Sequence, residues 1–90
     1  MTIRKFENHK SAAARIYEYE DGSRNLVSYR TTVCELDKNG WLKVNGLYSS
    51  TTIKHIGWFM KELGLTYQLA KQLYNDNLKM NIRTGEVTAV

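Results

Sequence analysis

The 90-residue chain has no proline, one cysteine, two histidines and no long apolar run, and each shortage removes a class of function. Cys34 alone cannot form an intramolecular disulfide, and it suits a reducing cytoplasm. No stretch approaches the roughly 20 apolar residues that span a bilayer, and Arg4 and Lys5 precede no apolar run of the signal-peptide kind. The expectation is a cytoplasmic protein with no membrane partner. Tetrahedral zinc wants four ligands paired at short spacing, whereas Cys34, His9 and His55 stand apart, so no metal or cofactor is expected. Cys34 reads as a small core residue. Cys34 and His55 also lack the third orienting residue that a thiolate–imidazole pair needs, and no glycine-rich loop of the P-loop type is present. The chain reads as non-enzymatic, with no catalytic residue. Without proline or a Gly/Ser-rich or charge-block linker there is no internal boundary, and residues 1–90 read as one α+β domain.

The charged residues are scattered. Thirteen Lys/Arg against nine Asp/Glu give a net charge of +4, but Arg4-Lys5 is the only adjacent basic pair and Glu18, Glu20 and Asp21 interrupt the rest. That distribution is a mildly basic solvated surface rather than a nucleic-acid stripe.

Residues 48–63 organise the remainder. Ile53, Ile56, Met60 and Leu63 recur at the spacing of one buried helical face, Phe59 widens it, and Gly64 stands where a left-handed C-cap belongs. Ser or Thr oxygens accept from unpaired N–H groups at a helix start, which places the N-cap at Ser50 or Thr51. One cap needs one hydroxyl, yet Tyr48-Ser49-Ser50-Thr51-Thr52 offers several, followed by Lys54 and His55. With Lys54, the hydroxyls and helix N–H groups suit an anion such as phosphate, although an over-determined cap with Tyr48 as a hydrophobic staple explains the run more simply. The other helix face sets Trp58 among Lys54, His55, Lys61 and Glu62, the composition of an interface hot spot, and a core position at the sheet edge accounts for Trp58 equally well.

Before this helix, residues 13–20 and 26–36 carry the β-branched and aromatic alternation of strands, joined by Asp21-Gly22-Ser23 turn chemistry. Asp37-Lys38-Asn39-Gly40 is a hairpin turn leading to a strand over 41–44. The predicted fold is a three-stranded antiparallel meander packed by the 50–63 helix, with a second helix from Thr66 to about Asn77 and a short C-terminal strand around Thr84-Gly85. Residues 1–12 read as a frayed terminus or short edge strand. Tyr17, Tyr19, Tyr29 and Trp41 alternate with Arg15, Arg30 and Lys43, an arrangement that can stack single-stranded nucleic acid but that packing explains more simply.

Ser28-Tyr29-Arg30-Thr31-Thr32-Val33 and Tyr48-Ser49-Ser50-Thr51-Thr52-Ile53-Lys54-His55-Ile56, with Phe59 after them, resemble an uncharacterised family of small phage and mobile-element proteins. Its pattern reads S-Y-x-T-x-V, an Asn/Gly hairpin, then Y-S-x-T-T-x-x-H-I-x-x-F, covering residues 26–63. The resemblance implies a context rather than a reaction: a binding protein that modulates or inhibits a host protein in the bacterial cytoplasm, with a CRISPR effector nuclease or another defence protein as the target class. The binding residues expected are Tyr29, Thr31, Tyr48, Ser50, Thr51, Thr52, Lys54, His55 and Trp58. The competing expectation is a small nucleic-acid-binding accessory protein, and a third is a homodimer whose edge strands pair.

Overall fold

The computed structural model describes residues 1–90 and is an α+β fold. Strands β1 (Thr2–Arg4), β2 (Ala14–Glu18), β3 (Arg24–Ser28), β4 (Thr31–Leu36), β5 (Trp41–Val44), β6 (Leu78–Asn81) and β7 (Val87–Ala89) lie in chain order in one sheet. Every neighbouring pair is antiparallel. Helices α1 (Ser50–Glu62) and α2 (Tyr67–Asn75) connect β5 to β6, with α1 over β3 and β4 and α2 over β5 and β6. Neither is long and apolar enough to cross a membrane.

The expected three-stranded meander is therefore corrected to a seven-stranded one. The run over 26–36 is two strands, because the chain reverses at Tyr29-Arg30 and pairs Ser28 with Thr31. Tyr29 takes φ +58, the left-handed region that normally belongs to Gly at the first central position of a type II′ turn. Its N–H donates to the Ala13 carbonyl at 2.7 Å, a contact from the residue before β2 that helps to hold the unfavourable residue in place. Both termini also join the sheet: β1 pairs with β2, and β6 and β7 form a hairpin beside β5.

A bulge then rearranges the interior. Leu26 pairs with Cys34 but Val27 with Thr32, so Val33 is the extra residue and the consecutive Val33 and Cys34 are both buried. Burial pushes the Cys34 thiol up to about 12, with Glu35 adding to the shift, so the sulfur is a packing group rather than a nucleophile. Phe6, Ile16, Leu26, Leu42, Ile56, Phe59, Met60 and Leu73 supply most of the core bulk.

In α1 the N-cap is Ser49, one residue before the expected position, and its Oγ accepts from the Thr52 N–H at 3.2 Å. The buried face is Thr52, His55, Ile56, Phe59 and Met60, while Ile53 and Leu63 are half-buried. The apolar period located the helix but set the stripe about one position out, because a threonine and a histidine face inward. The end is as expected. Gly64 has φ +75, its N–H bonds the Lys61 carbonyl at 3.0 Å, and the Leu65 N–H bonds Met60 at 2.8 Å, the pair of bonds of a Schellman motif. Thr66 caps α2 through the Leu69 N–H.

Candidate functional site

The polar residues expected at the surface divide into an interior network and three exposed groups. Inside, β3 presents Ser28 to the first turn of α1. Ser28 Oγ lies 2.8 Å from His55 Nδ1 and 3.2 Å from Thr52 Oγ1, and Ser49 Oγ donates to Thr52 Oγ1 at 3.3 Å. The contacts join Ser49, Thr52, Ser28 and His55 Nδ1 into one continuous polar chain across β3 and α1. Ser28, Thr52 and His55 are 2%, 4% and 1% exposed. Ser28 and His55 have the spacing of a nucleophile and base, but at that burial no substrate reaches the hydroxyl. Thr52 and His55, expected among the binding residues, are thus enclosed in the interior.

Burial holds the His55 imidazole below its ordinary value near 6.5, and the charges of Lys54 and His9 add to this. A depressed value means the unfolded chain takes up the proton first as pH falls. The stability from neutral His55 is complete above about pH 6.5 and is lost as pH falls from there through the folded value. Melting at pH 5.5 is expected to come several degrees below melting at pH 7.5, and His55→Phe should narrow that difference. Equal differences in the two proteins would rule His55 out as the cause.

Outside the network, Tyr29 and Tyr48 are 60% and 65% exposed, and both have positive φ. Tyr48 does not staple the helix; its ring lies on Gly46, where an added Cβ would stand 2.5–2.9 Å from the ring. Thr31, Ser50 and Lys54 are exposed and Thr51 is half-buried.

Trp58 is half-buried and belongs to a third group that the sequence reading did not assemble. The segment between β1 and β2 folds over α1 and stacks His9 on the indole, with centroids 3.7 Å apart and planes within 4°. Phe6 meets Trp58 edge-on at 5.6 Å, and the His55 ring lies 5.2 Å away. Arg4 ties this segment down through Glu18 at 3.1 Å and Glu62 at 2.8 Å. The result is an open groove of about 410 Å³ that Arg4, Glu7, His9, Trp58 and Lys61 help to line. His9 and Phe6 had no periodic signal to reveal them, since their segment is irregular.

A depression of about 470 Å³ at the opposite turns holds Asp21, Glu35 and Asp37. Their carboxylates are engaged locally: Asp21 by Ser23, Asp37 by the Asn39 and Trp41 N–H groups, and Glu35 by Asn45. No group of three His, Cys, Asp or Glu side chains gathers in a form that could hold a metal.

A family of unknown function, DUF8033, matches residues 1–79. The chain belongs to that family. No curated protein and no solved structure matches it. The family match runs from β1 into β6 and so contains both the Ser28–His55 network and the Trp58 groove, while β7 lies beyond it.

Proposed function

We propose that this protein is a non-enzymatic binding protein of a phage or mobile element that modulates or inhibits a host protein, with a CRISPR effector nuclease or another defence protein as the target class. The observation that carries the reading is the presentation of Trp58. Its ring is fixed before any partner arrives, stacked by His9 and braced by Phe6 and His55, beside a groove rimmed with Arg4, Glu7 and Lys61. Tryptophan dominates interface hot spots, and a side chain already immobilised loses little entropy on docking. The charged rim of mixed sign suits a protein surface better than a polyanion.

The test is capture by tagged protein from nuclease-treated bacterial lysate, with Trp58→Ala and Tyr48→Ala beside the parent and each variant shown folded by its melting curve. One stoichiometric protein is expected, retained by Tyr48→Ala and weakened about 30-fold or more by Trp58→Ala, the loss of a hot spot. A partner that Trp58→Ala retains, or no partner, overturns the proposal.

A further inference from the structure

We infer that the end of the molecule built from the β3–β4 turn and the segment leading into α1 binds a single-stranded nucleic acid, with Tyr29 and Tyr48 as base-stacking platforms and Arg30 and Lys54 as phosphate contacts. The antiparallel order gathers carboxylates at one end of the strands. There the β2–β3 and β4–β5 turns carry Glu20, Asp21 and Asp37, with Lys38 the one cation among them. The opposite end joins the Tyr29-Arg30 turn to residues 45–51, drawn together by Ser28–Thr52 and by Asn45 Nδ2 donating to the Thr32 carbonyl. No acidic residue occurs between Asp21 and Glu35 or between Asp37 and Glu62, whereas Arg30 and Lys54 are both exposed. Glu35, on β4 toward the opposite turns, has its carboxylate held by Asn45 Nδ2 at 2.9 Å. An anionic partner therefore meets exposed cations here and a mixed, carboxylate-bearing surface at the other end.

The aromatics give the partner its class. Tyr29 and Tyr48 are the only residues besides Asn77 and glycines with positive φ, and both rings project into solvent. A tyrosine left outside the core on unfavourable backbone needs a reason other than packing. Tyr48 lies against Gly46 and is otherwise largely open to solvent. Tyr29 is set 6.0 Å from the His55 ring, tilted by 44°. Exposed rings interleaved with cations stack unpaired bases; a duplex has its bases already stacked and offers only phosphates.

This surface lies at the start of α1, and the Trp58 groove lies toward its other end, so the two proposals fail separately. The probe is a fluorescently labelled oligothymidine strand, with an oligouridine strand and a duplex of mixed sequence as further arms. Anisotropy should report binding of a single strand that weakens steeply as salt is raised and exceeds duplex binding. Tyr29→Ala and Tyr48→Ala should each weaken it about tenfold, the loss of one base–aromatic stack. Lys54→Glu with Arg30→Glu should abolish it, and Trp58→Ala should leave it unchanged. Gly46→Ala is a second variant: the added methyl meets Tyr48 first and must displace it, so single-strand binding should fall as it does in Tyr48→Ala. No single-strand binding at low salt, equal duplex binding, or indifference to both tyrosine variants would overturn the inference.

Discussion

His55→Ala is expected to destabilise the protein by about 3 kcal/mol, because it removes a fully buried ring and a buried hydrogen-bond partner together. The imidazole is 1% exposed, packs beside Trp58, and meets the end of the hydroxyl chain at Nδ1. Its loss leaves a cavity between β3 and α1 and takes from the buried Ser28 hydroxyl the shorter of its two side-chain hydrogen bonds. At this chain length each kcal/mol moves melting by roughly 4–8 °C, so a fall of about 15 °C is the readout. Lys54→Ala, one residue away but exposed, should stay within about 0.5 kcal/mol. Ser28→Ala and His55→Ala should be non-additive by about 1 kcal/mol, because they break one shared bond. Melting of His55→Ala within two degrees of the parent would show that the network contributes nothing to stability.

That network explains why part of the site was legible in the sequence and part was not. The surplus of hydroxyls before His55 marked a polar cluster correctly, since one cap could not use them all. What the residues could not show was that β3 supplies Ser28 as a partner, which turns Thr52 and His55 inward. A period of apolar residues has no means of anticipating two polar side chains satisfied across 24 and 27 residues of sequence. The same limit applies to the fold. Gly64, Thr66 and the Asp37–Gly40 turn were readable because capping and turn chemistry is local, and Gly40 does take φ +96. The reversal at Tyr29-Arg30 was not, because Tyr and Arg between Ser and Thr carry strand preference and no turn signal. His9 was invisible for a third reason: its stacking on Trp58 depends on where an irregular segment comes to rest, which no pattern encodes.

The C-terminal hairpin depends on one side chain in a comparable way, and Asn81→Ala is expected to cost about 3 kcal/mol through three lost hydrogen bonds. Asn81 is 7% exposed. Its Nδ2 donates to the Asn39 carbonyl at 3.1 Å, and its Oδ1 accepts from the Arg83 and Thr84 N–H groups at 2.9 and 3.3 Å. One amide thus shapes the turn between β6 and β7 and fastens it to the turn between β4 and β5. The fit leaves little room: a methyl on Gly40 would stand 3.1 Å from Asn81 Oδ1 and 3.2 Å from the Arg83 side chain, at a φ that only glycine adopts freely. Gly40→Ala should therefore loosen the same joint, and combined with Asn81→Ala it should cost less than the two separately. Thr88→Ala, exposed on β7, serves as the control and should change stability by less than about 0.5 kcal/mol. Hydrogen exchange gives the spatial readout. In Asn81→Ala the Arg83, Thr84 and Gly85 amides should lose protection first, followed by the β6–β7 ladder from Leu78 to Ala89, while the amides of α1 keep theirs. Loss of protection spread evenly over the sheet would instead make Asn81 part of the global core, and an unchanged pattern would show that β7 is held by its backbone ladder alone.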